Sequence, residues 1–403
     1  MKAIGIDCKV VEMKNIKNLQ KFLIELIEIP SLSGSEIEVA YRIKDKLNDI
    51  GVDKVEIDTY GSVIAEIKGK GELKILFEGH MDHVPPGNID LWIYPPYKAK
   101  IVNGEIYGRG TVDMKGSIAS LITAIEDISK KELNVNLQLA FVVHEETVEG
   151  EAIKRVIEEE KLLDKPDIAI LIEPTNLNIA LGHRGRSLLN IELKGKTAHA
   201  SMPNLGINVI ESSSQYIIEV MKLNEKLPIH HMLGKATITP IKIKCEPEGL
   251  PQLPDKSNIV FDRRMIIGEK EEDLIKPLHE ILNKLIEQNI VIDGKVTILE
   301  ETVKCWTGAV MKVKDFFPAW LIPKEKLDNI GLNNILTDFG KRYIVWDFST
   351  DGVYLANTNI LTFGFGPGNW KFAHQPNEKV NLKDLELAVK GYISIVELME
   401  KVC

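Results

Sequence analysis

The sequence has little cysteine, no long hydrophobic run and no excess of positive charge. Its 403 residues include four cysteines, Cys8, Cys245, Cys305 and Cys403. Because none is close to another in the sequence, neither a disulfide framework nor a thiolate zinc site is indicated, and isolated reduced thiols are expected. No segment approaches the ~20 apolar residues of a membrane span, and the first residues lack the apolar core and cleavage site of a signal peptide. We therefore expect a cytoplasmic protein that does not enter the membrane.

The balance of charge also excludes a class of partners. The net charge is -9, from 50 basic and 59 acidic residues, whereas a nucleic-acid-binding surface needs clustered lysine and arginine. We therefore expect no nucleic-acid partner. The apolar fraction of 44% and the charged fraction of 27% are ordinary for a globular protein. A chain of this length is too long for one compact core and predicts two domains.

Short apolar runs alternate with helical patterns in the first half of the chain. Three runs, Leu73–Glu78, Leu137–Val143 and Ile168–Ile172, are predicted to be buried strands, and Gly116–Ile128 and Ala152–Glu160 are predicted to be helices. Polar residues follow each strand. Strands that alternate with helices predict an α/β sheet, with a site at the carboxyl ends of its strands.

The pattern changes near residue 184. Alternating strands and two amphipathic helices follow, at Ser187–Leu193, Ile207–Lys222, Ala236–Lys244, Ser257–Met265 and Glu271–Gln288. Together they make an α+β layer of about the size of a small domain. We therefore predict that residues 184–299 form an inserted domain, and that residues 1–183 and 300–403 form one catalytic, metal-binding domain.

Five motifs place a histidine or a carboxylate after an apolar stretch or a glycine-rich turn. They are Gly79-His80-Met81-Asp82, Gly108-Arg109-Gly110-Thr111-Val112-Asp113, His144-Glu145-Glu146, Glu173-Pro174-Thr175 and Phe372-Ala373-His374-Gln375-Pro376. Histidine and carboxylate ligands without thiolate suit Zn²⁺, Co²⁺ or Mn²⁺, and a further carboxylate can move a proton. The set predicts a two-metal hydrolytic site.

Taken singly, each motif has a plain structural alternative. His80 could be a capped histidine after a strand, Asp113 a turn or helix-cap residue, and an adjacent glutamate pair a solvated loop. In an extended segment Asp82 points the same way as His80 and can accept a hydrogen bond from its ring. Glu145 and Glu146 would point apart in an extended chain, so that one can bind metal and the other act as general base. The five motifs together, rather than any one, indicate the site.

Two residues of the predicted insertion have open interpretations. His199 is either a surface-loop histidine or a group that reaches the site when the inserted domain folds over it. Arg264 shares a strand face with Asp262, so the sequence allows either an internal ion pair or a clamp for a substrate carboxylate.

These residues resemble the M20 metallopeptidase family, which includes aminoacylases, acetylornithine deacetylase, succinyl-diaminopimelate desuccinylase and glutamate carboxypeptidases. The resemblance begins near Met13 and covers nearly the whole chain, including Ile29-Pro30-Ser31 and Gly366-Pro367-Gly368. Motifs such as Trp306-Thr307-Gly308 and Ala373-His374-Gln375-Pro376-Asn377-Glu378-Lys379 are similar to its YgeY-like branch. The family implies an α/β protein: a mixed-sheet zinc-peptidase (phosphorylase/hydrolase-like) catalytic domain with an inserted two-layer α+β dimerisation, or lid, domain.

The resemblance also implies a cofactor and residue roles. It implies two divalent metal ions per subunit, zinc or else cobalt or manganese. One ion would be held by His80, Asp113 and Glu173, and the other by Asp113, Glu146 and His374. Asp82 would orient His80, Glu145 would be the general base, and His199 would reach the site of a second subunit. Arg264 and Gly366 would bind the substrate, Arg264 through a carboxylate. A cis peptide bond after Asp113 is also implied.

We therefore expect a metal-dependent hydrolase that cleaves the amide or peptide bond of a small carboxylate-bearing substrate or short peptide. The expected type is an N-acyl amino acid deacylase, homodimeric through the inserted domain. A carboxypeptidase or dipeptidase with the same metal core is the alternative, because spacing does not reveal the pocket. A non-catalytic binding module would be expected to lack one of the six core residues, but all are present: His80, Asp113, Glu145, Glu146, Glu173 and His374.

Two departures from the family pattern stand out. His83 replaces a threonine that is more common in the family. Residues 1–12 precede the usual start, so either Met1 or Met13 could be the initiator.

Overall fold

The computed structural model of the chain describes residues 13–249, 251–339 and 342–401. Cys8, Cys403 and the segment before Met13 lie outside these residues. The helices, in chain order, are α1 (Met13–Glu28), α2 (Ile37–Ile50), α3 (Lys115–Ile128), α4 (Glu151–Lys154), α5 (Val209–Glu225), α6 (Glu271–Glu287), α7 (Lys324–Asn329), α8 (Leu332–Phe339), α9 (Gly352–Leu355) and α10 (Leu382–Met399).

The strands are interspersed with these helices along the chain. They are β1 (Lys54–Ile57), β2 (Val63–Ile67), β3 (Lys74–His80), β4 (Lys100–Val102), β5 (Glu105–Tyr107), β6 (Asn136–Val142), β7 (Ile168–Leu171), β8 (Ile179–His183), β9 (Gly185–Lys194), β10 (Ile229–His230), β11 (Gly234–Lys235), β12 (Thr237–Glu246), β13 (Lys256–Met265), β14 (Asp293–Ile298), β15 (Glu300–Lys304), β16 (Val310–Lys314), β17 (Phe316–Phe317), β18 (Trp320–Leu321), β19 (Tyr343–Trp346), β20 (Leu361–Gly364) and β21 (Lys379–Asn381).

A large mixed sheet forms the core of the first unit. Its order is β1-β2-β6-β3-β7-β20-β8-β18, with β19 paired to β8. The central strands β6, β3, β7 and β20 run parallel, and antiparallel strands flank them. Helix α3 packs against both α1 and α10, and all three helices contribute to its hydrophobic core. The mixed α/β architecture confirms the predicted fold class.

A smaller antiparallel sheet has a separate hydrophobic core. Its order is β12-β13-β9-β14, with the short strand β17 also paired to β9. Helices α5 and α6 pack on it and contribute buried residues to that core. This is the two-layer α+β unit expected between the two parts of the larger one. The exact boundary at residue 299 stays a prediction, and β17 lies beyond it.

One predicted helix differs from the structure. The chain forms α4 over Glu151–Lys154 and then continues as a π-helix over Arg155–Glu159, where the sequence predicts a single helix over Ala152–Glu160. Among the described residues, no helix combines the length and the apolar character needed to cross a membrane.

Candidate metal centre and active site

The carboxyl ends of three neighbouring strands carry the first side chains of the site. Strand β3 ends at His80, β6 ends two residues before His144, and β7 ends two residues before Glu173. Because β3 pairs in parallel with both β6 and β7, these ends lie side by side at one edge of the sheet.

The imidazole of His80 is the centre of the cluster and is only 1% exposed. Its Nε2 lies 3.0 Å from Asp113 Oδ1. The same atom is 3.6 Å from Glu173 Oε1 and 3.7 Å from Glu145 Oε2. The other ring nitrogen, Nδ1, is 2.9 Å from the backbone oxygen of Asp82 and 3.5 Å from its Oδ1. The nearest acceptor for Nδ1 is therefore the Asp82 carbonyl rather than its carboxylate.

The Asp82 carboxylate holds the neighbouring turn instead. Its Oδ1 accepts the backbone N–H of Glu145 at 3.2 Å, and its Oδ2 accepts that of Glu146 at 3.3 Å. The hydroxyl of Ser33 donates to Oδ2 at 2.6 Å. Asp82 thus connects the His80 strand end to the glutamate pair.

The second histidine approaches from the opposite side of Asp113. His374 Nε2 lies 3.1 Å from Asp113 Oδ2 and 3.1 Å from Glu146 Oε2, and its side chain is 51% exposed. The two carboxylate oxygens of Asp113 therefore face different histidines, which is the arrangement that a bridging ligand requires.

The electrostatics of the cluster fit bound cations. Burial raises the pKa values of Glu145 and Glu173 well above their ordinary range, because the buried carboxylates lose hydration. Glu173 Oε2 is buried and has no hydrogen-bond partner among the described residues. Divalent ions would offset the repulsion between these carboxylates and coordinate the unpaired oxygen.

Two groups of side chains each bring their ligand atoms within 4.8 Å of one another. They are His80 with Glu145 and Glu173, and His80 with Asp113 and Glu146. These groups share His80, whereas the family resemblance has the two ions share Asp113. The predicted ligands lie together, but which of them bind which ion stays a prediction.

Buried acidic residues that the sequence analysis did not select support the site. Glu378 Oε1 accepts the backbone N–H groups of Val112 and Asp113 at 2.8 and 3.2 Å. Glu78 and Asp351 are each 2% exposed, and burial together with the Asp351 charge raises the pKa of Glu78 well above its ordinary range. Glu378 belongs to the family-like motif around His374, and this motif was the signal in the sequence that could have identified it.

The backbone at Asp113 also agrees with the resemblance. The peptide bond between Asp113 and Met114 is cis, which confirms that implied feature. His83, the unusual residue of this region, is buried and lies against the ring of Tyr97. Its Nε2 accepts the backbone N–H of Ser31 at 3.0 Å, and burial lowers its pKa to about 3. It therefore acts as a neutral connector to the loop that carries Ser33.

A cavity of about 520 Å³ opens beside the cluster. The smaller sheet contributes Arg186 and Arg264 to its wall, which Asp113, Glu145, Glu146 and Glu173 also line. Arg264 donates from Nε and Nη2 to the two carboxylate oxygens of Asp262, at 2.8 and 3.1 Å. The internal ion pair therefore forms, and Arg264 still lines the cavity.

Gly366 and His199 are the other two predicted site residues, and their surroundings differ from those of Arg264. The Gly366 N–H donates to Thr175 Oγ1 at 3.0 Å, and a Cβ at this position would lie 2.5 Å from the backbone oxygen of Glu173. Gly366 thus permits close packing behind Glu173. His199 is exposed, and its Nδ1 lies 2.8 Å from Ser201 Oγ; it is not among the residues that line the cavity. A substrate role for either residue stays a prediction.

Solved structures with the same fold cover nearly the whole chain. An M20 family metallo-carboxypeptidase from Sulfolobus solfataricus matches with a TM-score of 0.72 and 20% identity, over 95% of this chain and 99% of that one. A dinuclear metal-binding M20 peptidase from Bacillus subtilis matches with a TM-score of 0.71 and 16% identity, over 97% and 99%.

Sequence comparisons identify the family. A profile of Peptidase family M20/M25/M40 matches residues 76–398. The Escherichia coli protein YgeY is 31% identical over 385 residues, which cover 94% of this chain and 93% of YgeY. A probable succinyl-diaminopimelate desuccinylase from Staphylococcus aureus is 30% identical over 92% of this chain and 96% of its own length. The protein is thus a metal-dependent hydrolase of amide or peptide bonds. It belongs to peptidase family M20/M25/M40.

Proposed function

We propose that this enzyme is an amidohydrolase of the N-acyl amino acid deacylase type, acting on a small substrate with a free carboxylate. The observation that carries the proposal is a single cavity lined both by the acidic cluster and by Arg264. A volume of about 520 Å³ suits a small molecule rather than a long chain. Asp262 accepts from Nε and Nη2 of Arg264, so the guanidinium would bind the substrate carboxylate through its remaining N–H groups, including those of Nη1.

The cofactor in this proposal is a pair of divalent ions, with zinc preferred and cobalt or manganese as alternatives. His80, Asp113 and Glu173 would hold one ion, and Asp113, Glu146 and His374 the other. The ligand set of histidine and carboxylate without thiolate supports this choice. When bound, the ions supply Lewis acidity to the scissile carbonyl.

Glu145 is the proposed general base. It is 7% exposed, lines the cavity and lies near His80. In this role it removes the proton from the attacking water and passes it to the leaving amine. Asp82 keeps Glu145 in place through the backbone hydrogen bond at 3.2 Å.

We further propose a homodimer in which His199 of each subunit stabilises the developing negative charge in the other's site. The smaller sheet supports a contact between copies. Its edge strand β12 exposes Ile241 and Ile243, and the adjacent helix α5 exposes Ile210 and Ile218. Exposed apolar residues beside an open strand edge are suited to bind another chain.

We also propose a catalytic domain over 1–183 and 300–403, an inserted domain over 184–299, and a cytoplasmic location. Separate hydrophobic cores support the division into domains. The free thiols of Cys245 and Cys305 fit a reducing compartment.

A dipeptidase or carboxypeptidase is the second candidate. Asp347 is exposed in the cavity wall, where its carboxylate could bind the ammonium group of a free amino terminus. An N-acylated substrate has no such group. A substrate ammonium group bound by Asp347 would therefore favour the peptidase, whereas a substrate carboxylate bound by Arg264 without such a contact would favour the deacylase.

The test is amine release by the purified protein with Zn²⁺ or Co²⁺, on parallel panels of N-acyl amino acids and dipeptides. We expect chelator-sensitive release from the N-acyl panel. Release from dipeptides alone would replace the deacylase by the peptidase. If neither panel releases amine although metal is confirmed in the protein, both substrate assignments are wrong.

A further inference from the structure

A β-hairpin connects the two sheets beside the active site. Strands β15 and β16 form this hairpin, which we call the bridging hairpin, over Glu300–Lys314. Its base is fixed to the smaller sheet, because Leu299 N–H donates to the Leu188 carbonyl and Leu188 N–H donates to Asp315 Oδ1, at 2.8 and 2.7 Å. Its tip lies on the larger unit.

The tip of the bridging hairpin fits closely onto the turn between β1 and β2. Trp306 Nε1 donates to the Gly61 carbonyl at 3.3 Å, and Thr307 Oγ1 donates to the Thr59 carbonyl at 2.8 Å. A Cβ at Gly61 would lie only 2.1 Å from Trp306 Nε1. The Trp306-Thr307-Gly308 motif, which the proposed chemistry does not use, therefore has a docking role.

The same hairpin contacts the residue that precedes the proposed base. The Lys304 carbonyl lies 3.3 Å from His144 Nε2. Because a carbonyl only accepts, Nε2 carries the proton, and Nδ1 faces Thr147 Oγ1 at 3.1 Å. His144 has a φ of 61°, a left-handed conformation that is unfavourable for a non-glycine residue and persists where contacts impose it.

A second contact from the smaller sheet lies at the other end of this turn. Arg186 Nη2 lies 3.1 Å from Glu149 Oε2 and 3.5 Å from Asp315 Oδ2. Glu149 is 9% exposed. The segment 144–149, which includes Glu145 and Glu146, is therefore held at both ends by groups of the smaller sheet and its hairpin.

We infer that the smaller sheet positions the Glu145–Glu146 turn, through the bridging hairpin at His144 and through Arg186 at Glu149. The inference rests on the proposed roles of Glu145 and Glu146. Trp306, His144, Arg186 and Glu149 are in this view positioning residues. The position of the smaller sheet determines the orientation of the Glu145 carboxylate. Movement of that sheet therefore changes turnover and not only substrate access.

The first test is Gly61→Ala, which displaces Trp306 from its seat. Gly51→Ala is the matched control, because Gly51 also has a positive φ, 82° against 108° at Gly61, but has open space around a Cβ. We expect Gly61→Ala to lower kcat about 10- to 100-fold, as expected for small misplacement of a catalytic group. Metal content should be unchanged. Backbone hydrogen exchange should rise in 300–314 and in 144–149, but not in 168–183. Gly51→Ala should change none of these.

The second test is Arg186→Met, with Arg186→Lys to restore the charge. A positioning role predicts a lower kcat and faster exchange at 144–149 in the methionine variant, with partial recovery in the lysine variant. A rise in KM alone, without a change in exchange, would make Arg186 a substrate contact and overturn the inference at this end.

The inference as a whole fails if Gly61→Ala speeds exchange in 300–314 while kcat and exchange at 144–149 keep their wild-type values. That result leaves the proposed function intact. Absence of metal-dependent amine release in the wild-type protein would instead contradict the proposed function. Should Gly61→Ala not fold, the Arg186 variants decide the question.

Discussion

Arg109 and Glu378 form an ion pair that is almost completely buried, with Nη1 and Oε2 2.5 Å apart and side chains 1% and 0% exposed. The other carboxylate oxygen of Glu378 accepts the backbone N–H groups of Val112 and Asp113. One carboxylate thus neutralises an arginine and also holds the backbone of the proposed bridging ligand.

Glu378→Gln should lower the free energy of unfolding by roughly 3 kcal/mol, because the Arg109 charge then stays buried without a counter-charge. Urea unfolding measures this loss. Glu105→Gln is the control, since it breaks the Lys379 ion pair, whose side chains are 25% and 32% exposed, and should cost at most about 1 kcal/mol. Equal losses in the two variants would contradict the structural role of Glu378.

Glu145→Gln should lower kcat by about 10²- to 10⁴-fold, the usual contribution of a general base. Its metal content, measured by elemental analysis, should stay at the wild-type level. The control is Glu151→Gln, which removes only ion pairs with Lys154 and Arg155 on the nearby helix. Near-normal turnover by Glu145→Gln with metal bound would show that another group moves the proton.

Chelation should lower the melting temperature by roughly 5 °C or more, because ions that bind only the folded state stabilise it by several kcal/mol. Added Zn²⁺ should reverse the change. In Glu173→Gln, calorimetry should show a smaller response to the chelator, because one proposed ligand has lost its charge. A wild-type melting temperature that changes neither with the chelator nor with added Zn²⁺ would argue against a metal centre in this cluster.

Asp58 offers a pH-dependent prediction away from the metal site. Its Oδ1 accepts the N–H groups of Tyr60, Gly61 and Ser62, and burial raises its pKa from 3.8 to about 6. Since the folded state binds this proton more tightly, the associated stability is present below pH 3.8 and is lost as the pH rises through about 6.

Asp58→Asn removes this titration while retaining a side-chain oxygen. Relative to the wild type, its unfolding free energy should therefore rise by roughly 2 to 3 kcal/mol between pH 4 and pH 7. Urea unfolding at several pH values gives the comparison. Asp45→Asn, on the exposed side of α2, controls for the loss of one negative charge. Parallel pH profiles for Asp58→Asn and the wild type would contradict the prediction.

Local sequence signals were sufficient for the strand ends of the site. The apolar runs before His80 and Glu173 are buried strands, and parallel pairing brings their ends together. Composition and periodicity decide such features, because a buried strand between helices is recognisable from its own residues. The α+β layer was predictable for the same reason.

Features that depend on distant contacts were not predictable in this way. In an extended chain Glu145 and Glu146 would point apart. The turn imposed at His144 instead brings both carboxylates to the wall of one cavity, and its hydrogen-bond partner Lys304 is 160 residues away. The motif around His374 was a signal for Glu378, but its hydrogen-bond partners were not predictable, since nothing near it in the sequence indicates Val112 and Asp113.

The position of β20 has a consequence for synthesis of the protein on the ribosome. This late strand pairs with β7 and with β8 in the middle of the large sheet, and Glu378 reaches Asp113 across 265 residues. A nascent chain that has not yet released these segments contains His80, Asp113 and Glu173 but neither His374 nor the support for Asp113. With the proposed ligand set, hydrolytic activity therefore requires that the segment carrying His374 and Glu378 has also left the ribosome.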